Sequence, residues 1–344
     1  MSSSPVPRRV IAIALLIPIG LGLLVSWFAW PAREIAPRDL PVVVAGPAPA
    51  AGLDAHSASA RAEAFATQLA AAKPGAFKIT VLPDAAAADD ALRNRDAYAA
   101  FVIGADGVTL HTASAASPAV AQALSAAAQQ LGGGKAVPVV DVVAGTADDP
   151  HGAGFGSGFL PIVIASLVAG VLLSFLVGSR VPRLAGVFGY ALVAGLVGSL
   201  VLVWLGLIPG SAYLAGATAL FLVTLAISAA VTGLAALLGR PGVALGVLTI
   251  FLLGIPISAV AAAPQLLPQP WGMVGQLLPA GAAGTLVRSA VFFDWTGAAG
   301  ALWTLVAWAV GGLVLIAIGR ARMLEPSPVP AAPAAAARAQ SVAA

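Results

Sequence analysis

Few stretches of this chain have residue types that could do chemistry, and most of those lack the spacing that the chemistry needs. Gly132-Gly133-Gly134-Lys135 has the glycines and the lysine of a phosphate-binding loop. Such a loop needs a further glycine at position 129 and a hydroxyl at 136 for magnesium, and the chain has Gln129 and Ala136 there. The run therefore reads as the stop of a helix, and no ATPase is expected within the chain. Glycines at 152, 154, 156 and 158 match a dinucleotide fingerprint only in number, because Ser157 and Phe159 stand where the third glycine belongs. They read as a flexible linker. His56, His111 and His151 are spread without metal-ligand spacing and read as surface residues. With no cysteine, disulfides, thiolate metal sites and cysteine nucleophiles are excluded. No Ser-His-Asp set and no paired carboxylates stand out, so no catalytic residue, cofactor or metal is expected, and the chain does not read as an enzyme.

The elements that would position any site are mostly apolar. Of 344 residues, 60% are hydrophobic and 9% charged, with a mean hydropathy of +0.97. A soluble domain carries about a quarter charged residues, so lipid must solvate most of this chain. Six apolar segments are long enough to span a bilayer: Val10–Trp30, Phe159–Ser179, Leu184–Leu207, Tyr213–Leu238, Gly242–Ala263 and Gly297–Gly319. The first ends in Trp27-Phe28-Ala29-Trp30, an interfacial anchor with no small-residue cleavage site, so it reads as an uncleaved span. No Asp, Glu, Lys, Arg or His lies at mid-depth of a span, which disfavours proton pumps and ion-coupled carriers. The glycines at 186 and 189, 195 and 198, and 242 and 246 suit close helix packing.

The polar part is an insert between the first two spans. Its signals run strand, helix, strand, helix, strand, strand, helix, strand: 40–45, 54–72, 77–82, 84–95, 98–103, 108–112, 117–131 and 137–143. Asp54, Asp84 and Ser117 serve as helix caps, and Asp106-Gly107 as a hairpin turn. This order implies a small mixed sheet with helices on its faces. The fold expected is an α-helical integral membrane protein of six transmembrane helices with an extracytoplasmic α/β domain inserted after the first. The divisions are 1–30, 31–156, 157–322 and a disordered cytoplasmic tail, 323–344.

Charge fixes the orientation. Residues 31–156 hold 12 acids and 8 bases, and the remainder 2 acids and 9 bases. The bases flank spans instead of forming one patch, which argues against nucleic acid as a partner. Arg8-Arg9, Arg180 with Arg183, Arg240, and Arg320 with Arg322 fall on one side of six crossings, so both termini are expected in the cytoplasm of a cell-membrane protein. Two candidate functional elements follow. One is the cytoplasmic turn with Arg180 and Arg183. The other is the outer loop 264–296, where Leu278, Pro279 and Gly281 lead into a short helix, Ala282–Phe293, that carries Arg288 and ends at Phe293 and Asp294. That helix reads as an amphipathic segment at or dipping into the outer interface, with Asp294 or lipid headgroups as partners for Arg288.

Leu40-Pro41-Val42-Val43-Val44, Tyr98-Ala99-Ala100-Phe101-Val102-Ile103 and Leu278-Pro279-Ala280-Gly281 through Arg288 to Phe293, in this topology, resemble the permeases of type-two ABC exporters and the related phage-infection-protein-like membrane proteins. The resemblance implies a homodimer or permease pair in the lipid bilayer, driven by a separate cytoplasmic ATPase and exporting an apolar or lipid-like substrate. It places a re-entrant segment at 278–293 and the grip for the ATPase at the short turn Ser179–Arg183. The phage-infection-like branch implies instead an ATPase-independent protein whose outer domain binds a partner or phage.

Overall fold

The structure, a computed structural model, describes residues 8–46, 55–104, 107–131 and 136–319. The Asp54 cap, Asp106, the glycine stop at 132–134, Arg320, Arg322 and the tail lie outside these residues. Among the described residues five helices are long and apolar enough to cross a membrane, which is compatible with a multi-pass membrane protein.

The first helix, α1 (Arg8–Arg33), is exposed along its apolar length and meets the rest of the molecule near its C-terminal end. There Trp27 Nε1 donates to the Leu252 carbonyl at 2.7 Å, Phe28 lies 6.1 Å from Phe251, and Trp27 and Trp30 pack edge-on against Trp271 at 5.6 and 6.4 Å.

The insert follows the expected order: β1 (Leu40–Ala45), α2 (Ala55–Ala72), β2 (Phe77–Leu82), α3 (Ala85–Arg93), β3 (Ala99–Ile103), β4 (Val108–Thr112), α4 (Pro118–Leu131) and β5 (Val139–Asp141). The sheet runs β2-β1-β3-β4-β5, with β3/β4 antiparallel and the other pairs parallel. β1 is apolar without alternation because both its faces are covered: Val42 and Val44 join the core with α2 and α4, while Val43 and Ala45 join the core with α3. Asp84 caps α3 by accepting from the Ala87 amide at 2.8 Å. His111 is no loose surface residue, since its Nδ1 lies 2.6 Å from Asp89 on α3 and ties that helix to the sheet.

The glycine-rich connection into α5 (Ala153–Leu176) is a close-packed joint instead of a free tether. Asp149 accepts from the Gly154 and Phe155 amides at 3.0 and 2.8 Å and so caps α5. A Cβ at Gly152 would sit 2.3 Å from Pro118, and one at Gly154 2.5 Å from Leu207. Glycine serves close approach at both positions, and at Gly152 also the left-handed backbone, φ 62°.

Then follow α6 (Arg180–Trp204) and α7 (Tyr213–Leu238), the latter buried along most of its length at the centre of the helical body. Small residues let its neighbours touch its backbone: a Cβ at Gly195 would lie 2.7 Å from the Ala217 carbonyl. Gly189 meets nothing.

The segment expected as a continuous helix over Gly242–Ala263 is broken. It comprises α8 (Arg240–Val247), a π-helical continuation Leu248–Leu253, and then non-helical chain. Pro256 explains the stop, since it has no N–H to donate and restricts the residue before it. The 14 helical residues Arg240–Leu253 extend about 21 Å, short of a ~30 Å hydrocarbon layer. After a short turn at Pro264–Leu266 come α9 (Trp271–Gln276), α10 (Pro279–Phe292) and α11 (Ala299–Ile318).

Candidate functional site

The stretch from the break at Gly254 to the start of α11 forms a hairpin, and α10 is its returning limb. α10 starts at Pro279, three residues before the expected start, and proline suits that first position. It is not an amphipathic interfacial helix. Pro279, Ala280, Gly281, Ala282, Ala283, Gly284, Leu286, Val287 and Arg288 are all buried, so every face is covered. Alanine and glycine make this possible by admitting neighbouring backbone. A Cβ at Gly281 would lie 2.2 Å from the Gly275 carbonyl, and one at Gly275 would lie 1.8 Å from the Ile257 carbonyl.

Two contacts fix where the hairpin sits. At its tip the Leu277 carbonyl accepts from Trp308 Nε1 at 2.9 Å, halfway along α11. At the other end Phe292 and Phe293 join the sheet-domain core beneath α3, while Ala262, Ala263 and Leu266 from the preceding limb join the core on the opposite face of the sheet. The hairpin thus runs from mid-body to the sheet domain and supplies residues to both of that domain's cores.

Arg288 is 4% exposed. Its Nη1 donates to the Val260 carbonyl, and its guanidinium lies over the Phe155 ring at 4.8 Å. The Asp294 expected as its partner is exposed, at φ 45°, and among the described residues has no ion pair. The reason for Arg288's placement is the unwound chain beside it. Carbonyls that leave a helix in apolar surroundings need new donors. Arg288 supplies one at Val260, and Gln276 Nε2 supplies another at Ser258, 3.1 Å away. Gln276 is itself held by Thr285 Oγ1, which donates to its Oε1 at 2.7 Å.

Arg95, at the end of α3, was hidden from the sequence reading. It reaches from the sheet domain to α10, where Nη1 donates to the Thr285 carbonyl at 3.3 Å and to Ser289 Oγ, and its guanidinium lies over Phe293 at 5.0 Å. Burial pulls its pKa below the ordinary arginine value, opposed by Tyr98. Burial likewise pushes Tyr98 up, and its hydroxyl donates to Gln265 Oε1 at 3.2 Å. Arg95 thus holds the Thr285 backbone, the Thr285 hydroxyl holds Gln276, and Gln276 holds the Ser258 carbonyl. One signal of this was legible: Thr285, Arg288 and Ser289 lie at helical spacing on one face of an otherwise apolar helix. A cavity of about 20 Å³, room for one water, borders Arg288, Asp149 and Thr146. Thr146 Oγ1 is buried there with no partner among the described residues.

Of the other candidate pair, Arg183 is buried and Arg180 is exposed. Arg183 is 1% exposed and donates to the Ser174 and Val177 carbonyls at 3.1 and 2.5 Å, closing the end of α5. Arg180 Nε donates to the Gly319 carbonyl at 3.1 Å, which brings the ends of α5 and α11 together away from the sheet domain. These are helix-end caps.

Among the described residues no group of three or more His, Asp or Glu could hold a metal ion. The hairpin carries no nucleophile beside a base. What its geometry provides is attachment: α10 is joined to the sheet domain by a shared core and by the bonds of Arg95. In comparisons with family models, with curated proteins and with solved structures, no match to this chain was found.

Proposed function

We propose that this chain is the membrane-spanning permease subunit of an export system for an apolar or lipid-like substrate, driven by a separate cytoplasmic ATPase and acting as a homodimer or permease pair. In this reading the protein crosses the cell membrane six times. The broken fifth segment completes its crossing with non-helical chain packed against protein, as lipid requires. The end with Arg180, Arg183 and Arg240 is cytoplasmic by the positive-inside rule, and the sheet domain lies outside. The observation that carries the reading is the shared core. Ala263 and Leu266 on one face of the sheet, and Phe293 on the other, bind the outer domain to a hairpin that reaches mid-body. A domain that merely displays a binding surface needs only a tether, whereas one that takes part in a transport cycle needs a stiff link to the spans.

The buried Arg183 favours a second reading, because it withdraws one of the turn's two charged groups from an ATPase. There the outer domain binds a partner or phage without an ATPase. Affinity purification of the full chain from gently solubilised membranes, with mass spectrometry of what accompanies it, separates the two. A stoichiometric nucleotide-binding subunit supports the permease. Its absence, under conditions that preserve a known ABC complex, sinks the permease and leaves the second reading.

A further inference from the structure

Arg288 carries a buried positive charge with no ion pair among the described residues. The Val260 carbonyl takes one of its N–H groups, and the Phe155 ring faces its guanidinium at 4.8 Å. A carbonyl and a ring face offer only partial negative charge. A cation held away from water needs a counter-charge nearby and partners for its remaining donors.

Asp149 is placed to supply the charge. It borders the same cavity of about 20 Å³ as Arg288. Both residues dock on Phe155, the guanidinium over its ring and the carboxylate on its amide at 2.8 Å. The carboxylate also accepts from the Gly154 amide at 3.0 Å. A carboxylate has about four acceptor positions, so about two are left. The two side chains make no direct ion pair, and the cavity that both border is the size of one water.

The third group is Thr146 Oγ1, buried at the same cavity with no partner among the described residues. Ser114 is the one other lining residue with a polar side chain, and its Oγ accepts from the Gly145 amide at 3.2 Å. A donor cation, an acceptor carboxylate and a hydroxyl that can do either therefore face one small space. A metal ion here would meet the charge of Arg288, and an anion that of Asp149. A neutral ligand that both donates and accepts suits the two together. A buried water makes about three hydrogen bonds, and these three groups complete that number.

We propose that one ordered water occupies this cavity, accepting from Arg288 and donating to Asp149, with Thr146 Oγ1 as its third partner. Asp149 is then the counter-charge of Arg288, the role expected of Asp294. The water joins α10 to the connection that leaves the sheet domain and to the start of α5, which Asp149 caps. It gives the hairpin a second polar anchor beside that of Arg95, and it holds whichever function the chain performs.

The test begins with thermal unfolding of the full chain in detergent. Thr146→Val exchanges a hydroxyl for a methyl of similar shape, and the sign of its effect is the readout. In a dry cavity the variant removes an unsatisfied buried oxygen, and the unfolding midpoint should hold or rise. With the water present it removes a hydrogen-bond partner, and the midpoint should fall by about 1–4 °C. Asp149→Asn takes away chiefly the charge, because asparagine caps helices as aspartate does. In that background the fall caused by Arg288→Met should shrink by half or more, since the two residues act through one water. Thr146→Val takes the place of Arg288→Met in this cycle if the arginine variant does not fold. A crystal structure of the full chain should show one density peak about 2.7–3.2 Å from all three groups. A midpoint that holds or rises in Thr146→Val, additive falls in the cycle, a cavity without density, or a direct contact between Arg288 and Asp149 each overturns the proposal.

Discussion

Gly281→Ala is the sharpest probe of the hairpin. The added methyl would sit 2.2 Å from the Gly275 carbonyl oxygen, whereas ordinary contact begins at 3.4 Å. The two backbones must part by more than 1 Å, and neither is free to do so. Gly275 rests on the Ile257 carbonyl, and the neighbouring Leu277 carbonyl is held by Trp308. Overpacking of this kind costs ~1–3 kcal/mol, and the upper half applies because the obstacle is backbone on both sides. Better helix propensity returns about 1 kcal/mol at most. The net expectation is a loss of ~1–2 kcal/mol, or a fall of several degrees in the unfolding midpoint for a body of this size. The assay is thermal unfolding in detergent followed by tryptophan fluorescence, since Trp271 lies within the hairpin and Trp308 bonds its tip. Gly189→Ala is the control, because a Cβ there meets nothing and the variant should melt at or above the wild-type temperature. If Gly281→Ala melts with the wild type, or if both variants fall together, the account of α10 as a helix locked by backbone contact is wrong.

Two further outcomes follow from the junction. Arg95→Met and Ser289→Ala each break the link from α3 to α10, so a double-mutant cycle should show ~1–2 kcal/mol of coupling; additivity within about 0.5 kcal/mol would mean that the contact carries no energy. Tyr98 is buried with its pKa raised, so the unfolded chain gives up the phenolic proton first as pH rises. The stability it contributes is complete below the unfolded value near 10 and declines above it. Tyr98→Phe should therefore flatten the alkaline fall in unfolding temperature while lowering it slightly at neutral pH through the lost bond to Gln265, and an unchanged alkaline slope would refute this role.

The sheet domain was largely legible because its signals are local. The unbroken apolar run at Leu40–Ala45 reports a strand covered on both faces, and Asp84 marks a helix start because it bonds an amide three residues on. The hairpin was less so, because the residues that decide it lie far apart. By composition 242–263 is a span, and a proline within it is compatible with a membrane helix. The break stands because Gln276 and Arg288 supply donors to the freed carbonyls from 18 and 28 residues away. Arg95 had a sufficient local explanation, a cation at the end of a helix, which concealed its bond to Ser289 at a separation of 194 residues. The glycines at 152–158 suggest a tether because glycine serves flexibility and close approach equally well, and only the neighbours Pro118 and Leu207 show that Gly152 and Gly154 are closely packed.

The shared core also sets a schedule for biosynthesis. β1 to β5 leave the ribosome well before Ala263, Leu266 and Phe293, and without those residues both cores of the sheet are incomplete. Roughly 150 residues separate β5 from Phe293, so at ~5–20 residues per second the translated domain waits about 8–30 s for its last core residues. During that interval its apolar faces are open, and the newborn chain depends on whatever shields them. A fragment cut after the sheet lacks Ala263, Leu266 and Phe293, so the outer domain draws part of both its cores from chain that follows it in sequence.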